Sequence, residues 1–146
     1  MSEEALRAQS EELVALMSKL WRRLFTLDAD NDPAMELPGA QMRVCAVLRD
    51  GPRTMSCLSS ELGISHSAIT QIADRLERAG MVERMQEADD RRCKRLTLTP
   101  RGVEVMQARR ERRVLRALTA LESMSPEERE AAVAALTSLL KASQRE

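Results

Sequence analysis

Beyond Gly80 the apolar residues stop recurring at three- and four-residue steps and begin to alternate; at Thr99-Pro100 the helical step returns. Met81-Val82-Glu83-Arg84-Met85 and Arg95-Leu96-Thr97-Leu98-Thr99 therefore read as two strands. The polar run from Gln86 to Lys94 reads as a long exposed hairpin tip between them. A lone hairpin cannot bury its own apolar face, so it must pack on the helices around it. The expected fold is mainly α with a small β-hairpin wing, an α+β arrangement.

The helices have clear boundaries. Leu13, Leu16, Met17, Leu20, Trp21 and Leu24 form one stripe over residues 3–26, and the polar run Asp28 to Pro33 ends it. Leu37-Pro38 opens a second helix with Met42, Cys45, Ala46 and Leu48 on its apolar face; Asp50-Gly51-Pro52 stops it. Thr54 is a suitable N-cap for a short third helix to Leu62, with Met55, Leu58 and Leu62 inward. Ser65 caps a fourth helix to about Ala79, whose inward stripe is Ile69, Ile72, Ala73, Leu76 and Ala79. Gly80 follows as the left-handed C-terminal residue. Thr99 caps a long fifth helix carrying Val103, Met106, Val114, Leu115, Leu118 and Leu121. Ser125-Pro126-Glu127-Glu128 is a capping box, and a last helix carries Val133, Leu136, Leu139 and Leu140.

The third and fourth helices, joined through Gly63-Ile64, form a helix-turn-helix. Gly63 permits the tight turn and Ile64 fills the angle between the helices. The face of the fourth helix opposite its apolar stripe carries Ser67, Thr70, Gln71, Asp74, Arg75 and Arg78, none large and apolar. Such a helix fits a major groove, with its first residues at the base edges. Gln71 suits adenine, and the Thr70 methyl suits a thymine methyl. Ser65 and the amides of the first turn suit a phosphate. His66 stands beside them, and Arg75 and Arg78 suit backbone phosphates further along. Arg91, Arg92 and Lys94 stand at or near the hairpin tip, where a guanidinium fits a narrow minor groove.

Charge bears on this reading. The 146 residues carry no net charge, which by itself argues against a nucleic-acid partner. The distribution removes the objection. Residues 1–37 carry −4 and residues 117–146 carry −2, whereas 38–102 carry +3 and 103–116 carry +3. Screening confines phosphate attraction to ~8–10 Å, so the local excess decides.

Residues 54–102 resemble the DNA-binding lobe of the MarR (multiple antibiotic resistance regulator) family. The stretch from Thr54 to Ser65 resembles its first helix and turn, and Thr70 to Val82 its recognition helix and strand entry. Asp90-Arg91-Arg92, then Leu96-Thr97-Leu98-Thr99-Pro100-Arg101-Gly102, resembles its wing signature, Asp-x-Arg followed by Leu-x-Leu-Thr-x-x-Gly. The flanking helices agree in order, so the resemblance covers nearly the whole chain. Cys57 departs from a common capping Glu, and Met42 and Cys45 from a frequent aromatic and Leu.

The resemblance implies a winged helix-turn-helix lobe over residues 37–102 and a helical dimerisation region over 1–36 and 103–146. It implies a homodimeric repressor of a pseudo-palindromic operator on double-stranded DNA, with recognition helices ~34 Å apart. By position, Asp90 orients the wing and Arg92 enters the minor groove. Ser65, Ser67, Thr70, Gln71 and Arg75 fall on the recognition helix.

Members of the family often respond to small aromatic or phenolic ligands that shift the spacing of the recognition helices. Trp21, Arg22, Met42 and Arg43 are the candidates for such an effector cleft, although Trp21 also falls in the apolar stripe of the first helix, as a core residue would. A cysteine-based redox response would rest on Cys57, in the first turn of a helix, and Cys93, on the wing; Cys45 reads as a small buried apolar residue. A winged module that binds protein rather than DNA is the remaining alternative. No cofactor, metal site or catalytic constellation is expected: His66 is the one histidine, and no pair of cysteines has C-x-x-C spacing. With no apolar run near ~20 residues and acidic first residues, a cytoplasmic protein without a membrane span is expected.

Overall fold

The structure is a computed structural model that describes residues 2–25, 39–86 and 94–144. Among the described residues the elements run α1 (Glu3–Phe25), α2 (Gly39–Leu48), β1 (Arg53–Thr54), α3 (Met55–Leu62), α4 (His66–Arg78), β2 (Val82–Gln86), β3 (Lys94–Leu98), α5 (Pro100–Glu122) and α6 (Pro126–Ser143). The expected fold class is the one observed. Two compact units divide the chain: residues 27–110 form one, and residues 1–26 with 111–146 the other, the boundary falling inside α5.

The 27–110 unit holds the core. Leu58 of α3, Ile69 and Leu76 of α4 and Leu96 of β3 are fully buried, joined by Val44, Cys45 and Leu48 of α2, Met81, Val82 and Met106. Each such aliphatic side chain contributes about 1.5–3 kcal/mol. Two details of the helical faces differ from the sequence reading. On α2, Ala46 is exposed, whereas Val44 and Gln41 are buried. On α4, Ala79 is the exposed C-cap rather than part of the inward stripe. A methyl side chain sits on either face at little cost, so alanine reports an interior weakly.

The capping residues act where the sequence places them. The Thr54 hydroxyl accepts from Cys57 N, and that of Ser65 accepts from Ala68 N. Gly63 closes α3 in the left-handed region, φ 61°. The Ser59 hydroxyl donates to the Ile64 carbonyl, tying down the turn. Gly80, φ 71°, ends α4 in a Schellman motif: Gly80 N donates to Glu77 O and Met81 N to Leu76 O, while the Met81 and Leu76 side chains are both buried.

The strands form an antiparallel sheet in the order β1-β3-β2. In β2 and β3, Val82 pairs with Leu98, Arg84 with Leu96 and Gln86 with Lys94. The strand β1 is an addition to the hairpin expected from the sequence. Its two residues pair with Leu96 and Arg95, too short a segment to show a period of its own.

The other unit is built from α1, the C-terminal part of α5, and α6. The Ser125 capping box is present, with Glu128 N donating to Ser125 Oγ and Ser125 N to the Glu128 carboxylate. No described residue of α1 or α6 is buried. Trp21 is accordingly no core residue: it is 55% exposed, with the Phe25 ring 4.8 Å away and the Arg113 guanidinium 5.7 Å above its centre. The stripe to which it belongs is genuine, but a single chain leaves it uncovered.

Candidate nucleic-acid interface

Helix α4 presents two faces of opposite character. Ile69, Ile72, Ala73 and Leu76 are buried, whereas Ser65, His66, Ser67, Thr70, Gln71, Arg75 and Arg78 are all exposed. The exposed set begins at the helix N-terminus, where unpaired amides and the positive end of the dipole favour an anion. The Ser65 hydroxyl is held by its cap bond at 3.2 Å. The His66 ring lies 3.3 Å from Ser56 Oγ of α3, so the first turn of α4 is tied to the preceding helix. Thr70 donates its hydroxyl to His66 O at 3.0 Å. That hydroxyl is satisfied within the helix, which leaves the methyl for contact.

Asp74 behaves differently from its neighbours. It is half-buried, and its carboxylate accepts from Arg84 of β2 at 2.6 Å. It is thus engaged with the hairpin rather than standing free on the outer face of α4. Sequence reasoning missed Arg84, although a signal existed: in a strand of period two it shares a face with buried Val82, where an apolar residue is the ordinary choice.

The base of the wing is locked to the end of α4. Thr99 donates its hydroxyl to the Gly80 carbonyl and its backbone N–H to the Met81 carbonyl, and its hydroxyl accepts from Gly102 N at 3.0 Å. This is the physical content of the Leu-x-Leu-Thr-x-x-Gly run. Its threonine caps α5 and clips the strand exit to the turn after α4, and its glycine allows the two backbones to touch. Lys94 is exposed at the first position of β3, opposite Gln86. Asp90, Arg91, Arg92 and Cys93 lie outside the described residues.

The effector candidates fall in different units. Trp21 and Arg22 line an open depression on α1 with Met17 and Ser18. Met42 is built into the core of the other unit, whereas Arg43 is exposed there. Cys57 is half-buried in the first turn of α3, and Cys45 is fully buried. Among the described residues no group of three or more His, Cys, Asp or Glu side chains is placed to hold a metal ion, and no helix is long and apolar enough to cross a membrane.

Residues 46–94 match the model of the MarR family. A solved MarR family protein from Bacillus stearothermophilus superposes with a TM-score of 0.85 over 99% of both chains at 24% identity, the same fold throughout. The HTH-type transcriptional regulator YfiV of Bacillus subtilis is 28% identical over 97% of this chain and 89% of its own length. The chain carries a MarR-family domain, and its fold is that of a MarR family structure. The transcriptional repressor MprA of Escherichia coli is 46% identical over 50 residues, which are 34% of this chain and 28% of MprA. The matched domain and the fold are those of winged-helix, DNA-binding transcriptional regulators, and they point away from an enzyme.

Proposed function

We propose that this protein is a homodimeric MarR-family repressor that holds a pseudo-palindromic operator. Helix α4 enters the major groove, with Gln71 and Thr70 at base edges and Ser65, His66, Ser67, Arg75 and Arg78 on phosphates. The wing enters the neighbouring minor groove through Arg92, oriented by Asp90 and flanked by Arg91 and Lys94. The observation that carries this reading is the outer face of α4, polar from Ser65 to Arg78, with Arg75 and Arg78 exposed and no large apolar residue on it.

The apolar faces of the helical unit support the dimer. Leu16, Met17 and Leu20 of α1, Leu115 and Leu118 of α5, and Leu136 and Leu140 of α6 are about half exposed or more in a single chain. A monomer rarely leaves so many large apolar side chains in water. Release follows from a small aromatic anion seated near Trp21 and Arg22 that favours a recognition-helix spacing unable to reach both half-sites.

The test is selection of duplexes from a randomised pool, followed by titration across salt concentrations. Binding to the selected duplex should weaken steeply with salt. Arg92→Ala should cost about 1–3 kcal/mol and reduce the salt slope by roughly one. Sedimentation should give twice the 16.4 kDa chain mass. Leu136→Glu should lower both that mass and the operator affinity. A wild-type protein that selects no duplex overturns the reading.

A further inference from the structure

Arg84 stands at an unusual place. The register puts it opposite fully buried Leu96 and on the same strand face as buried Val82, the face directed at α4. From there it reaches two carboxylates one helical turn apart. Nη2 donates to Asp74 Oδ1 at 2.6 Å, and Nη1 lies 3.6 Å from Glu77 Oε1. Its side chain is 30% exposed and those of Asp74 and Glu77 are 41% and 45% exposed. Ion pairs this open to water contribute only ~0–1 kcal/mol to stability. Fold stability is therefore a weak reason for an arginine at an inward strand position.

Its effect on the interface is larger. Asp74 and Glu77 sit next to Arg75 and Arg78, the two exposed cations of α4. Unpaired, the carboxylates would cancel those cations and repel phosphates within a screening length of ~8 Å. Paired with Arg84, they are drawn toward the sheet, and one of their two negative charges is offset. The same bridge joins the helix that reads DNA to the strand that leads into the wing. We propose that Arg84 is a positioning residue for DNA binding: it holds Asp74 and Glu77 away from phosphate and fixes the wing root against the recognition helix, without touching DNA itself. The inference rests on the reading of α4 and the wing as the DNA-holding surface.

A double-mutant cycle on the full chain tests it, with a duplex selected by the wild type from a randomised pool as probe. Arg84→Met should lower affinity for that duplex about tenfold, equivalent to 1.4 kcal/mol, with little change in Tm. In an Asp74→Asn/Glu77→Gln background, where the bridge is already gone, Arg84→Met should change affinity very little. Arg84→Lys should restore part of the affinity lost in Arg84→Met. Three results overturn the proposal: an equal loss in both backgrounds, meaning that Arg84 touches DNA directly; wild-type affinity in Arg84→Met; or a loss of affinity tracked by a collapse in Tm, meaning that Arg84 serves only the fold. If the wild type selects no duplex, the DNA-binding reading fails and this inference with it, whereas strong wild-type binding with any of the three results sinks this inference alone.

Discussion

Gly102 lies so close to Met81 that a Cβ at position 102 would overlap the Met81 carbonyl oxygen. The same carbonyl accepts the backbone N–H of Thr99 at 3.0 Å, so it has little freedom to move. The first turn of α5 thereby rests directly on the residue that leads from α4 into β2. A methyl group here must push apart the recognition helix exit and the wing exit. Gly102→Ala is expected to destabilise the winged lobe by about 1–3 kcal/mol, the usual cost of overpacking. Denaturant titration would measure it, and an unchanged midpoint would show that the backbone contact yields easily.

Thr99 performs two bonds with one hydroxyl, donating to Gly80 O and accepting from Gly102 N. Thr99→Val keeps the shape and removes both. The expected cost is about 1–2 kcal/mol, that of a lost cap and a half-buried carbonyl left without its donor. Thr99→Ser keeps the hydroxyl and should cost less. Equal losses in the two variants, followed by thermal unfolding, would mean that the methyl rather than the hydroxyl matters.

Gln71 and Arg75 share the exposed face of α4 but should fail in different ways. Gln71→Ala is expected to lose about 1–3 kcal/mol on the selected duplex and to relax preference at one base pair. Arg75→Ala should weaken binding to all duplexes alike and reduce the salt slope by roughly one. Repeating the duplex selection with each variant separates the two roles; identical selected sequences for Gln71→Ala and wild type would remove Gln71 from base readout.

Burial pushes the Cys45 thiol up to about 11 from an ordinary value near 9, against the pull of the Arg109 charge. The folded chain therefore holds this proton more tightly than the unfolded chain. The resulting stabilisation is fully present at neutral pH and is lost as pH rises from about 9 through about 11. Denaturation midpoints followed across that window should fall in the wild type, and less steeply in Cys45→Ala. At neutral pH a thiol reagent should label half-buried Cys57 before Cys45.

Much of the lobe was legible because its signals are local. Thr54, Ser65 and Ser125 cap amides three residues away, and Gly63 and Gly80 terminate helices through their own φ. The outer face of α4 could be read because a 3.6-residue period separates its two sides before any packing is known. The Leu-x-Leu-Thr-x-x-Gly run could be recognised as a pattern, but its reason could not. That reason lies in bonds from Thr99 to Gly80 and Met81, across the whole wing.

What the sequence alone determined was the order of elements, their ends and which side of each long helix is apolar. These depend on interactions within about one turn of chain. Tertiary structure decided the rest: that β1 joins the sheet beside Leu96, that Val44 is buried while Ala46 is not, that Trp21 is uncovered, and that Asp74 answers to Arg84. Each of these depends on which distant segments meet and in what register. A charge or a methyl group does not announce its partner; only the folded chain brings the two together.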